Sequence, residues 1–331
     1  MGRYTRTLIT AALTVTAVAG TAGWASGSAQ QAVTGVPVGT RAWIADGLPD
    51  PGRMTPDRIG DFFAGLTDRR REELVREHPS VVGNLDGAPL ALRYEANART
   101  VGARFDGARF GGARVLAFDP RDRGQVALVY GDPATARHVA VIVPGSDVDA
   151  GNVAPLAAMA TGLREATHGD TAVIAWAGYT TPVGVGLDAA TGRLAEAGAE
   201  RLVRFTDGLA AVGTPTPAVF CHSYGSVVCG LAAHQLKAKD LVVLGSPGMR
   251  AADAGALGTS ARVWAAKAPT DWIDKVPHVE FAGLGHGPDP AAPAFGARHV
   301  AADDVAGHGG YFAPGTRSLR TFAAIAQGDA R

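Results

Sequence analysis

The sequence predicts an α/β fold: a mostly parallel central sheet with helices on both faces, preceded by a short helical N-terminal region. Three observations carry this. From residue 115 onward, short β-branched runs alternate with alanine-rich stretches, most of them helix-length. The runs are apolar throughout rather than alternating, as suits strands covered on both faces. The run 218–220 breaks through Ser223 into a small-residue helical segment, so a strand, a sharp turn and a helix meet with a serine at the apex.

The elements follow in order. A basic start with Arg3 and Arg6, an apolar run over 8–22 and small residues at Ala25, Gly27 and Ala29 form the layout of a secretory signal, with cleavage expected after Ala25 or Ala29. Threonines and glycines interrupt the run, which makes it too weak for a permanent membrane span; an uncleaved anchor is the alternative. The expected division is a signal over 1–29, a Gly- and Pro-rich linker over 30–54, a helical extension over 55–110 and the α/β domain over 111–328. In the extension, Ile59, Phe62, Phe63 and Leu66 share one helix face; Thr67 caps a second segment with Leu74 and Val75 inward, and Pro79 ends it. The mixed charges of 68–73 read as a solvated helix face. Strands are expected at 115–118, 126–130, 138–143, 172–176, 218–220, 241–244 and 262–266. The turn over 119–124 makes the first two a hairpin, and the helix-length spacers make the rest parallel.

Composition narrows the partners. A chain of 331 residues, 47% hydrophobic and 19% charged, is globular in type, and a formal net charge of zero removes the electrostatic case for nucleic acid. No CxxC or HExxH spacing suggests a metal, and no cofactor is expected. The two cysteines provide no disulfide framework. Cys221 would end a strand and Cys229 would lie two helical turns beyond Ser223, so the expectation is two buried thiols without a bridge.

In open parallel sheets, sites form beyond the carboxyl ends of the strands. Ser223 follows one such end, and its hydroxyl needs a neighbouring imidazole to become a nucleophile. Asp271 follows the strand at 262–266 and would orient that imidazole; Asp274 is the rival. His308, in a glycine-rich loop before a final helix starting near Thr316, is the candidate base, with His286 as runner-up and His222 read as structural. The order Ser, Asp, His is that of α/β-hydrolases. The candidate oxyanion donors are Tyr224, directly after the serine, and Ser146 in the loop after the third strand, with Asp147 second.

Several segments together resemble an actinobacterial α/β-hydrolase family long known only as a domain of unknown function. They are Val81-Val82-Gly83-Asn84-Leu85-Asp86-Gly87 with Pro89, Arg93 and Asn97; Leu116-Ala117-Phe118-Asp119; Val143-Pro144-Gly145; Cys221-His222-Ser223-Tyr224-Gly225-Ser226; Gly245-Ser246-Pro247-Gly248; and Gly307-His308 with Tyr311, Pro314-Gly315 and Ser318-Leu319. The resemblance implies an α/β-hydrolase fold with Ser223, Asp271 and His308 as a triad. The chain departs from the family pattern at Cys221, where glycine is usual, and at Ser146-Asp147-Val148, which replaces a loop rich in glycine and threonine.

The expected function is a secreted serine hydrolase that cleaves a carboxylic ester of a small-molecule or acyl substrate through an acyl-enzyme intermediate, with 177–192 overhanging the site. Amide or peptide hydrolysis on the same residues is the enzymatic alternative. A non-catalytic envelope or binding protein that keeps the fold is the alternative from another class.

Overall fold

The computed structural model describes residues 29–101 and 112–330. The expected signal, apart from Ala29, lies outside the described residues, as does the end of the expected helical extension.

The segment read as a linker is folded. Residues 30–33 run beside the chain that follows the fourth strand: Val33 N–H donates to Thr180 Oγ1 at 3.0 Å and Val183 N–H to Gln30 Oε1 at 2.8 Å. Helix α1 (Thr40–Ala45) then buries Trp43, 1% exposed, whose Nε1 donates to the Pro49 carbonyl at 2.7 Å. Glycine and proline content pointed to a spacer here, but one large aromatic side chain is enough to fasten a short segment to a core.

Helices α2 (Pro56–Ala64) and α3 (Asp68–Glu77) are capped by Thr55 and Thr67, and they bury Ile59, Phe63, Leu74 and Val75 as their spacing requires. Pro79 opens the short α4 (Pro79–Val82) rather than ending structure, because proline fits a first helical turn. Helix α5 (Leu90–Val101) completes this layer. Buried polar groups fasten it to the sheet. Asn97 Nδ2 donates at 2.9 Å to the Gly83 and Leu116 carbonyls, and Asn84 pairs with both backbone groups of Phe118. Arg93 donates to Asp86 at 3.0 Å.

The sheet follows: β1 (Arg114–Asp119), β2 (Gln125–Tyr130), β3 (His138–Val143), α6 (Ala154–Ala166), β4 (Thr171–Ala177), α7 (Leu187–Ala190), α8 (Arg193–Ala211), β5 (Ala218–His222), α9 (Gly225–Ala232), β6 (Asp240–Leu244), β7 (Arg262–Ala266), the small hairpin β8 (Glu280–Phe281) and β9 (Leu284–Gly285), β10 (Arg298–His299) and α10 (Arg317–Gln327). The eight-stranded order is β1-β2-β4-β3-β5-β6-β7-β10. Within this sheet β2 is antiparallel to β1 and to β4, and the other pairings are parallel; the separate β8-β9 pair is antiparallel.

Strand alternation divides the core in two. Val139, Val141, Val143, Val219, Cys221, Leu241 and Val243 face α8 and α9, while Ala140, Ile142, Ala218, Phe220, Val242 and Leu244 face α6 and α10. Each fully buried valine, leucine, isoleucine or phenylalanine among these contributes about 1.5–3 kcal/mol, and each alanine less. The two-residue β10 and the β8-β9 hairpin are too short to leave a hydrophobic period in the sequence.

Candidate active site

The side chains expected to do chemistry lie at the carboxyl ends of β5 and β7 and in the loop before α10. At the end of β5 the chain turns through Ser223 at φ 54°, a left-handed conformation that costs a non-glycine residue energy and that the packed surroundings must enforce. The Ser223 N–H donates to the Leu244 carbonyl at 3.0 Å, tying the turn to the neighbouring β6. Small residues are obligatory around it. A Cβ on Gly225 would lie 2.6 Å from the Val143 and Pro144 carbonyl oxygens, and one on Gly145 would lie 2.6 Å from Ser223 Cβ. Among the described residues, none accepts from or donates to the Ser223 hydroxyl.

The turn also explains the cysteines. The expectation of two separate thiols is overturned: Cys221 and Cys229 form a disulfide with Cα atoms 6.4 Å apart. The sharp turn folds α9 back along β5, and strand alternation points Cys221 at that helix, so the eight-residue separation does not translate into distance. Both residues are fully buried.

Asp271 follows β7 and is 3% exposed. Its Oδ1 accepts from His308 Nδ1 at 2.7 Å and from the Ile273 N–H at 2.9 Å; its Oδ2 accepts from the Tyr311 hydroxyl at 2.6 Å. Burial alone would raise the carboxyl pKa, but the hydrogen bonds from His308, Tyr311 and Ile273 outweigh it and hold the group below the ordinary aspartate value. The rival Asp274 is exposed and pairs instead with Lys267 at 2.6 Å. His286, the other candidate base, is buried away from any carboxylate, with Nε2 on the Ala189 carbonyl at 2.7 Å and its ring edge-on to Tyr224; burial pushes its pKa down to about 4.

Tyr311 stood in the sequence only as part of a matching motif, with no role. Its hydroxyl accepts from the Ala268 N–H at 3.0 Å while donating to Asp271, so it locks the carboxylate to the end of β7. The spacing of three after His308 was the available signal. His222 alternates to the face opposite Cys221, and its Nε2 lies 2.7 Å from the His308 carbonyl oxygen.

Two backbone N–H groups remain as oxyanion candidates. Among the described residues, no acceptor takes the N–H of Tyr224 or of Ser146, whereas the Asp147 N–H donates to the Pro182 carbonyl at 2.8 Å. The segment after β4 borders this region: Gly184 N–H donates to Asp147 Oδ1 at 2.8 Å, Tyr179 donates to the Pro144 carbonyl at 2.7 Å, and the Thr191 carbonyl accepts from the Tyr224 hydroxyl at 2.7 Å.

The sequence model of a family described as alpha/beta hydrolase matches residues 119–281, and the fold is that of an α/β-hydrolase. Two uncharacterized Mycobacterium tuberculosis proteins, from strains CDC 1551 / Oshkosh and ATCC 25618 / H37Rv, are each 30% identical over 85% of this chain. The chain spans 57% of their length. Among solved structures, a Xanthomonas campestris α/β serine hydrolase without a lid matches 62% of this chain and 88% of its own at 16% identity, with a TM-score of 0.38. The esterase domain of a Rhodothermus marinus protein matches 62% of this chain and 91% of its own at 15% identity, with a TM-score of 0.37. Likenesses this distant carry no activity across.

Proposed function

We propose that the chain is a secreted serine hydrolase that cleaves carboxylic esters through an acyl-enzyme intermediate. The observation that carries this reading is the buried Asp271 carboxylate on His308 Nδ1 at 2.7 Å, on the same edge of the sheet as a serine at φ 54°. With its Nδ1 proton held by Asp271, the imidazole presents Nε2 as the basic nitrogen. His308 Nε2 takes the Ser223 proton as Oγ attacks the acyl carbon; the Tyr224 and Ser146 N–H groups receive the negative oxygen; the proton then passes to the departing alcohol. Water, activated by the same imidazole, releases the acid and restores Ser223.

An apolar acyl group suits the surroundings. Val183, Val185 and Leu187, 56%, 48% and 66% exposed, lie on the segment beside the oxyanion loop, and the ring of Trp272 stands 4.6 Å from that of His308. Export is supported by the Cys221–Cys229 disulfide, a bond kept in oxidising compartments, together with the signal layout of the first residues. Among the described residues, no helix is long and apolar enough to cross a membrane.

The test is to expose the purified protein and its Ser223→Ala variant to a fluorophosphonate and locate any adduct by peptide mass spectrometry. An adduct on Ser223 that is absent from the variant is expected, followed by turnover of ester rather than amide substrates. A folded protein that remains unlabelled would overturn the reading in favour of a binding role.

A further inference from the structure

The loop that carries His308 has little stiffness of its own, because Gly307, Gly309 and Gly310 surround it. What fixes it comes almost wholly from one side. The Gly307 N–H donates to Thr270 Oγ1 at 2.8 Å, His308 Nδ1 meets Asp271 at 2.7 Å, and the Trp272 ring lies 4.6 Å from the imidazole. All three partners belong to the segment after β7. They orient the imidazole towards its acid, but they do not set its place relative to the serine.

We propose that His222 is the positioning residue that registers His308 against Ser223, by donating Nε2–H to the His308 carbonyl and packing its ring against the His308 imidazole. The contact distance is 2.7 Å and the ring centroids are 4.6 Å apart. A carbonyl oxygen only accepts, so the proton of neutral His222 sits on Nε2. His222 is the last residue of β5 and is bonded covalently to the nucleophile, so the contact converts the rigidity of the central sheet into a fixed distance between serine and base. The inference rests on the assignment of Ser223 and His308 under Proposed function.

The electrostatics suit the role. His222 faces His308, Asp271 and Tyr311; burial, followed by proximity to His308, pushes its pKa down to about 4, with the His308 carbonyl and Asp271 opposing. His222 therefore stays neutral while His308 carries the transferred proton, and no second cation opposes that step.

The experiment compares the second-order rate of fluorophosphonate labelling at Ser223 in the wild type, His222→Phe and His222→Gln. Phenylalanine keeps a ring without a donor, whereas glutamine carries an amide N–H near the Nε2 position. Labelling is expected to fall about 10- to 100-fold in His222→Phe, the scale of a misplaced reacting group, and to recover to within a few-fold in His222→Gln. A folded His222→Phe protein that labels at the wild-type rate overturns the positioning role and leaves the nucleophile assignment standing. Absence of labelling in the folded wild type overturns both. Histidine-selective ¹⁵N spectra of the wild type check the contact independently of activity and of the variants' folding. An Nε2–H tautomer at His222 is expected, and an Nδ1–H tautomer refutes the proposal.

Discussion

Replacing Cys221 and Cys229 together by alanine removes the one covalent cross-link among the described residues, directly beneath the serine turn. The cost can be worked from chain entropy. Closing a loop of eight residues withdraws about 8 cal/mol/K from the unfolded chain, or about 2.5 kcal/mol at 25 °C. Both sulfurs are fully buried, so each vacated volume adds up to about 1 kcal/mol. At about 2.1 cal/mol/K of unfolding entropy per residue, the cross-link alone corresponds to a fall in Tm of about 4 °C for a chain of 331 residues. Urea unfolding of wild type and double variant, followed by circular dichroism, measures the difference. Alkylation of the unfolded but unreduced wild type should label neither cysteine. Two alkylatable thiols, or a stability difference under about 1 kcal/mol, would refute the reasoning, because either would mean that the cross-link does not constrain the unfolded chain.

Tyr311→Phe deletes a donor to a buried carboxylate and strands the Ala268 N–H, so a loss of about 2–4 kcal/mol is expected by urea unfolding. The folded-state pKa of Asp271 is depressed, so its stabilisation is present above the unfolded aspartate pKa and is lost as pH falls through the folded value. Without Tyr311 the folded value rises towards the unfolded one, so the part of the acid-induced stability loss owed to Asp271 should shrink and end at a higher pH; an unchanged acid limb in the urea midpoint against pH would contradict this. Gly145→Ala places a Cβ 2.6 Å from Ser223 Cβ, and the displaced turn should label with fluorophosphonate about 100-fold more slowly while far-ultraviolet dichroism is unchanged. Asn97→Ala strips the Leu116 carbonyl of its buried donor and leaves the Gly83 carbonyl only Arg93 Nε at 3.3 Å, so it should cost about 1–3 kcal/mol in unfolding free energy. Because α5 braces β1, far from Ser223, the labelling rate of the folded Asn97→Ala protein should match the wild type; a large change would make the N-terminal helices part of the site.

The sequence by itself determined what depends on local pattern. Apolar runs such as 138–143 and 262–266 have the bounds of β3 and β7, and helix-length spacers dictate parallel pairing. The turn at Ser223 was legible because a strand, a serine and small flanking residues occupy adjacent positions. Asp271 was legible because it lies just beyond a strand and His308 because it stands in a glycine-rich loop before the final helix, and the structure brings the two into hydrogen-bond contact. Trp43 shows the limit of composition: glycine and proline around it signalled a spacer, while its burial depends on a cavity formed by helices later in the chain.

Only the tertiary structure decided what depends on two segments meeting. Spacing along the chain argued against the Cys221–Cys229 bridge, yet a turn at Ser223 folds helix onto strand and brings the sulfurs together. His222 and Tyr311 each touch a candidate catalytic residue, but their places beside Ser223 and three after His308 do not say which atom each one meets. One acts on a carbonyl 86 positions away and the other on a carboxylate 40 positions away. Periodicity records which face a residue presents to its own element. Which atom waits on that face is fixed by the packing of the whole chain, and a single sequence does not carry that distance.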